Sequence, residues 1–161
     1  MKRKAVFVII LLGITALAYA LEKPTPKEAA RVINYYHNGI GNGAIMMECK
    51  LCVGVNSEEP NKNECSDVIQ NNQVNQGDEV FLWMNFLVPA GDEASVLVGY
   101  TRDNITRNTQ HIKLPGATRF RTWKKIPTNQ VGKWKVNILQ EMGNDDVALG
   151  GLDYTVTENP Q

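Results

Sequence analysis

The sequence predicts a mainly β protein, an antiparallel β-sandwich of about seven strands preceded by a short N-terminal helix. Three observations support this prediction. Segments of alternating or continuous apolar character recur after residue 43, turn-forming residues separate them at short intervals, and no helical period interrupts them. A fold of alternating strands and helices would require helical segments between the strands, so the pattern favours antiparallel pairing.

The N-terminus, residues 1–20, has the pattern of a secretory signal peptide. It begins with basic residues from Lys2 to Lys4, continues with an apolar run, and ends with small residues at Ala18 and Ala20. An uncleaved membrane anchor is the alternative, but about 15 apolar residues fall short of the roughly 20 that a membrane span requires. We therefore expect cleavage after Ala20 and export to the periplasm or the medium, with no stable membrane span in the mature chain.

Residues 21–43 predict a short helix followed by a hinge. Thr25 is a suitable N-cap, Pro26 suits the first helical position, and Glu28 completes a capping box with Thr25. Apolar side chains then recur on one face until Gly39 ends the helix. The segment contains no catalytic motif, so we expect it to pack on a sheet edge or on a partner.

Residues 44–161 form the predicted β-sandwich domain. The segment 79–88 is apolar on both faces, which indicates a central strand and places Trp83 in the core. In the segment 132–139, Trp134 shares one face with other apolar residues while lysines occupy the opposite face, as in a half-buried strand. Phe120 is the third predicted core aromatic. The predicted strands are 44–55, 79–88, 94–102, 108–114, 119–126, 132–139 and 150–156.

Positive charge is concentrated in the segment 104–140, which contains eight Lys or Arg residues and no Asp or Glu. If the strands that carry Arg119, Arg121, Lys133 and Lys135 are neighbours, alternation places all four cations on one solvent face. This is a candidate anion-binding face, open to an anionic envelope or host polymer. The alternative, which we expect, is that the N-terminal half folds over it, because nearly all of the acidic excess of the mature chain lies there.

The three cysteines, Cys49, Cys52 and Cys65, predict one structural disulfide in an exported protein. Cys49 and Cys52 would lie about 10 Å apart on one strand, beyond disulfide reach, so Cys65 must be one partner. Alternation favours Cys52–Cys65 and leaves Cys49 as a buried thiol, with Cys49–Cys65 as the alternative. Haem attachment would require a histidine where Val53 stands, and the two histidines lack zinc-ligand spacing. We therefore predict no cofactor and no metal.

Four stretches between residues 77 and 156 resemble the family named domain of unknown function 2914. They are GDEVFLWMNF, RFRTWKKI, GKWKVNIL and LGGLDYTV. The Arg-Thr-Trp and Gly-x-Trp elements of that family correspond to 121–123 and 132–134 here, while Lys124 stands where the family often has serine. The family is a small immunoglobulin-like β domain, often exported in bacteria. The resemblance therefore implies an immunoglobulin-like sandwich and export, and it implies no reaction.

Two classes of function are consistent with these observations. The first is an exported, non-enzymatic binding or assembly module that engages a protein or an anionic envelope polymer. The second is a thiol–disulfide redox protein, or another envelope enzyme, that uses the Cys49-x-x-Cys52 pair, although such a motif should open a helix rather than lie in a strand. We expect the first class, with no catalytic residues. Export and the acidic mature chain argue against nucleic acid as a partner.

Overall fold

The computed structural model describes Thr25, Glu28, Ala29, Val32, 43–143 and 145–159. The predicted signal peptide and most of the predicted N-terminal helix lie outside these residues. Thr25 and Glu28 make the reciprocal hydrogen bonds of a capping box: the Glu28 carboxylate accepts from the Thr25 amide at 2.7 Å, and the Thr25 hydroxyl accepts from the Glu28 amide at 3.2 Å. No helix in the part of the chain that the structure describes is long and apolar enough to cross a membrane.

The described chain is mainly β, as predicted, but two pairs of predicted strands are single long strands. The segments 79–88 and 94–102 belong to β3, and 108–114 and 119–126 belong to β4. The pairing of β3 with β4 shifts register near Val88 and Glu93, so the strands bend there instead of ending. The strands are β1 Ile45–Cys52, β2 Gln73–Asn75, β3 Phe81–Arg102, β4 Ile105–Lys125, β5 Gly132–Met142 and β6 Asp145–Thr157.

The strands form one curled sheet in the order β1-β3-β5-β6-β2, with β4 paired to the other side of β3. All pairs are antiparallel except β2 with β6, which is parallel. The long β3–β4 hairpin turns at Asp103 and Asn104, whose φ angles of 53° and 60° suit the two-residue turns that follow the twist of a sheet. Because the hairpin bends at its middle, its two halves belong to two different regions.

We call these the β1 region and the β5 region. The β1 region consists of β1, residues 81–88 of β3 and residues 117–125 of β4. The β5 region consists of residues 93–102 of β3, residues 105–115 of β4, and the strands β5, β6 and β2. Strands β4 and β5 are not neighbours, because β3 lies between them.

The core lies inside the curl, between the two regions. Alternate residues of β3, such as Met84 and Val98, are fully buried there, together with Val136 of β5. The curl closes where β1 approaches β6. Gly150 has a φ of +148°, a conformation that favours glycine, and a Cβ at this position would lie 2.3 Å from Cε at the end of the Met46 side chain.

The alternation predicted for β5 is confirmed. Trp134, Val136 and Ile138 are buried, whereas Lys133 and Lys135 are exposed on the opposite face. The Trp134 ring lies 6.0 Å from that of Tyr154 on β6 at an interplanar angle of 13°, and its indole nitrogen donates to the carbonyl oxygen of Gln130. This strand therefore contributes to the core with one face and presents lysines to solvent with the other.

Candidate binding site

The disulfide ties a covering loop, residues 53–68, to the outer face of the β1 region. The bond joins Cys52 at the end of β1 to Cys65, the pairing favoured by the sequence. Within the loop, the carbonyl oxygen of Asn63 accepts a hydrogen bond of 2.7 Å from the indole nitrogen of Trp83. The carboxylate of Glu64 pairs with Arg121 at 2.6 Å. The loop is thus held to the sheet by a covalent bond, a buried hydrogen bond and an ion pair.

Trp83 is buried, as predicted, but it does not belong to the main core. The inward residues of this part of β3 are Leu82, Met84 and Phe86, so Trp83 points outward and only 2% of it is exposed. The covering loop and Lys50, whose ammonium lies 4.5 Å from the ring centre, cover this tryptophan. Both faces of this part of β3 are therefore buried, the inner face by the core and the outer face by the covering loop.

The other predicted core aromatic, Phe120, is half-buried and packs against the core. Two residues further along β4, Trp123 stands directly across from Trp83 and is 38% exposed. Val53, which would share the face of Leu51 if the predicted strand 44–55 were regular to its end, is 57% exposed. Strand β1 ends at Cys52, so alternation no longer applies beyond it.

Arg119 and Arg121 are paired with acids from the N-terminal half of the chain. Arg119 contacts Glu28 at 3.2 Å and Arg121 contacts Glu64 at 2.6 Å, and both arginine side chains are about three-quarters buried (26% and 25% exposed). The amide of Thr25 lowers the pKa of Glu28 most strongly, and its hydroxyl and Arg119 also lower it, against an opposing effect of burial. The positive charge of these two arginines is therefore largely balanced inside the molecule.

Lys133 and Lys135 do not share a face with these arginines, which corrects the expectation of one four-cation face. The lysines lie on β5, between β3 and β6, whereas the arginines lie on β4 in the β1 region. The expectation assumed neighbouring strands, and the intervening β3 separates them. Neither lysine makes an ion pair with a residue that the structure describes.

The two lysines line a groove with a volume of 560 Å³ on the outer face of the β5 region. Lys135 stands across from Asp153 on β6 and from Thr101 on β3, and Lys133 stands across from Thr155. The floor of the groove therefore consists of side chains from three hydrogen-bonded strands. The paired strands fix the backbone positions from which these side chains extend.

Two walls enclose this floor. One is the β3–β4 turn, where Asp103 lies 3.3 Å from the guanidinium of Arg102. The other is the segment before β2, where the side-chain amide of Asn72 donates to the backbone carbonyl oxygen of Asp153 at 3.0 Å. The backbone carbonyl oxygen of Asn72 accepts from the backbone amide of Thr155 at 2.9 Å. Asn71 and Asn104 complete the polar lining, while Trp134 and Tyr154 lie beneath it.

Sequence reasoning found only the two lysines among these groove residues. The segment containing Asn71 and Asn72 lies between the predicted strands 44–55 and 79–88, and no local pattern indicates that it returns to pair with β6. Asp103 and Asn104 carry a detectable signal, because residues that tolerate positive φ angles favour a two-residue hairpin turn.

Ser95 and His111, two described residues with catalytic potential, do not form a nucleophile–base pair. The Ser95 hydroxyl donates to the Glu141 carboxylate, and Nδ1 of His111 lies 3.5 Å from the same carboxylate. Because the carboxylate lies between the two, the imidazole does not contact the hydroxyl as a general base would. Ser95 and then His111 lower the pKa of Glu141, with burial opposing them. Within the described residues, no group of three or more His, Cys, Asp or Glu could hold a metal ion.

The Cys49-x-x-Cys52 pair does not form a dithiol, because Cys52 is bonded to Cys65. Cys49 is half-buried, and its Sγ lies 3.7 Å from the carbonyl oxygen of Gly151 at the closure of the curl. Burial, and then the charge of Glu48, raise the pKa of the Cys49 thiol. A raised pKa reduces the thiolate fraction, and the thiolate is the reactive form.

Comparisons with known proteins support the fold alone. The sequence matches no family model and no curated protein. Among solved structures, the chain is similar to the C-terminal domain of wzt, with a TM-score of 0.51 and 11% sequence identity, covering 74% of this chain and 77% of that one. At this identity the similarity concerns the β-rich architecture and carries no statement about the site.

Proposed function

We propose that the protein is an exported, non-enzymatic binding module and that the groove around Lys133 and Lys135 is its ligand-binding surface. The single observation that carries this proposal is the contrast in charge pairing. Arg119 and Arg121 are balanced by internal acids, whereas the two lysines are exposed and make no ion pair with described residues. Unpaired cations on a rigid floor attract anionic groups of a ligand.

Export is supported by the signal-peptide pattern of residues 1–20 and by the disulfide, since disulfides persist in oxidising compartments. The resemblance to domain of unknown function 2914 supports an immunoglobulin-like version of this curled antiparallel sheet. N-terminal sequencing of the native protein tests export. We expect Leu21 as the first residue, and an intact Met1 in a membrane fraction would contradict the proposal.

The second class of function, thiol–disulfide exchange, has less support. Cys52 is engaged with Cys65, and Cys49 is half-buried with a raised pKa. Thiol titration of the native protein should find one slowly reacting thiol. Two free and fast-reacting thiols would favour the redox function instead.

Retention of the mature protein on a heparin column tests the role of the groove. The double variant Lys133→Glu/Lys135→Glu should elute at clearly lower salt than the wild type. The matched control is Lys62→Glu/Lys124→Glu, which changes net charge equally at one exposed and one half-buried lysine outside the groove. Equal losses in both variants would indicate nonspecific charge attraction, and unchanged retention of the groove variant would exclude the groove as the anion-binding surface.

A further inference from the structure

We infer that the groove of the β5 region binds an acidic saccharide, a hydroxyl-rich chain whose carboxylate groups are separated by neutral, hydroxyl-bearing ring atoms. This inference rests on the proposed function and specifies the chemical class of its ligand. It follows from the mixture of charges in the groove, from the neutral polar groups around them, and from the covered backbone of the floor.

The groove contains carboxylates as well as ammonium groups. Asp153 stands across from Lys135, and Asp103 lies on the adjacent turn. A polyanion without neutral groups between its charges would bring some of its anions against these carboxylates, and like charges in contact weaken binding. A ligand with separated charges can place an anion at Lys133 or Lys135 and a neutral group at each aspartate.

The neutral group that suits the aspartates is a hydroxyl. An ionised carboxylate only accepts hydrogen bonds, so its ligand partner must donate. The remaining polar lining can both donate and accept, because it consists of amide and hydroxyl side chains: Asn71, Asn72, Asn104, Thr101 and Thr155. A sugar ring presents several hydroxyls, each of which donates one hydrogen bond and accepts others. Its donors and acceptors therefore match this lining.

A peptide ligand fits the groove less well. The floor strand β5 is hydrogen-bonded to β3 on one side and β6 on the other, so it offers no free edge for an added strand. Peptide side chains also require apolar pockets, but the two aromatic rings beneath the groove, Trp134 and Tyr154, are only 3% and 2% exposed. Recognition in this groove must therefore rely on hydrogen bonds and charge.

The walls are held in place without a ligand. The Asn72 side chain and backbone both bond to β6, and Asp103 lies in a hairpin turn beside Arg102. Groups that are already positioned lose less conformational freedom when a ligand binds.

Isothermal titration of the mature protein tests the ligand class with three probes: oligogalacturonate, its neutral methyl ester, and linear polyphosphate. We expect oligogalacturonate to bind, and the ester to bind about tenfold or more weakly because it lacks the charge-assisted hydrogen bonds. The variant Lys133→Gln/Lys135→Gln should lose about tenfold or more in affinity for oligogalacturonate. The control Lys62→Gln/Lys124→Gln should not lose affinity.

The variant Asp153→Asn distinguishes a saccharide ligand from other anionic ligands. It should weaken oligogalacturonate binding, because a charged acceptor for hydroxyls is replaced by a neutral and weaker one, and it should strengthen polyphosphate binding, because a repulsive charge is removed. Circular dichroism and denaturant midpoints confirm that each variant is folded. If Asp153→Asn strengthened the binding of both anions, or if polyphosphate bound more tightly than oligogalacturonate, the saccharide class would be wrong while the groove remained an anion site. If no probe bound in a manner dependent on Lys133 and Lys135, the proposed function itself would fail.

Discussion

The sequences Arg-Phe-Arg at 119–121 and Lys-Trp-Lys at 133–135 share one pattern and have opposite surroundings. In both, an aromatic residue faces inward between two cations that face outward. Over the first pair lie Glu28 and the covering loop with Glu64, whereas the second pair opens into a groove. The comparison teaches that alternation determines which face a residue occupies, while segments distant in sequence determine whether that face is covered.

The aromatic residues differ as well. Phe120 is half-buried at the periphery of the core, whereas Trp134 is 3% exposed and stacks on Tyr154. The covered pair of cations therefore flanks the less buried ring, and the open pair flanks the more buried one. Stability measurements can therefore distinguish the covered pair of cations from the open pair.

The largest effect is expected from Trp134→Ala, which should lower the free energy of unfolding by about 3–5 kcal/mol because it empties a large buried site. Phe120→Ala should cost less, since part of its ring is exposed. Guanidinium denaturation midpoints measure both. Lys133→Ala and Lys135→Ala serve as controls and should each stay within about 0.5 kcal/mol. A larger cost for the lysines than for Trp134 would mean that the faces of β5 are inverted.

Removing the disulfide should have the next largest effect. Cys52→Ala/Cys65→Ala should cost about 3 kcal/mol, the chain-entropy value for a loop of this length, since the sequence separation is 13. Trp83 fluorescence should shift to longer wavelength as the covering loop loosens. The control Cys49→Ala, a half-buried thiol outside the bond, should change stability much less. An unchanged midpoint and emission in the double variant would show that the remaining contacts hold the loop alone.

The Glu64–Arg121 pair should contribute a smaller energy. A double-mutant cycle with Glu64→Gln and Arg121→Gln should give a coupling of about 0.5–1 kcal/mol at low salt, the upper part of the range for partly exposed ion pairs. The same cycle with Lys135→Gln and Asp153→Asn should give no coupling, because these residues stand on paired strands without an ion pair. Coupling in the groove cycle and none in the loop cycle would reverse the comparison.

The smallest effect is a pH dependence from Glu28. Its pKa is lowered in the folded protein, so the stabilising contribution is present above the unfolded pKa, about 4.3, and is lost as the pH falls through the folded value. The difference in unfolding free energy between wild type and Glu28→Gln should therefore shrink as the medium is acidified below that range. Thr25→Val, which removes one of the hydrogen bonds to Glu28, should reduce the difference at neutral pH. A difference that is independent of pH would contradict the contacts of Glu28.

The sequence predicted the features that depend on local pattern. The β5 alternation around Trp134, the mainly β architecture and the partners of the disulfide all follow from spacing along a single strand or from compartment chemistry. These predictions required no knowledge of which strands are neighbours.

The sequence did not predict features that depend on strand order. The four-cation face required β4 and β5 to be neighbours, and the core position of Trp83 required that nothing else cover the outer face. The short strand β2 has no local strand pattern in the sequence. It forms because it pairs with β6, at Thr155 and the residues after it, from the far end of the chain. One wall of the groove, which contains Asn71 and Asn72, depends on this pairing, which is why the sequence did not predict that wall.

The parallel pairing of β2 with β6 has a consequence for the order of folding. The β3–β4 and β5–β6 hairpins join neighbouring segments and can close early, whereas the hydrogen bond from Thr157 to Val74 spans 83 residues. Asn71 and Asn72 reach their positions in the groove wall only after β6 has docked. A chain interrupted before β6 would lack this wall and the side chains of Asp153 and Thr155, so the proposed groove forms only when β6 is present.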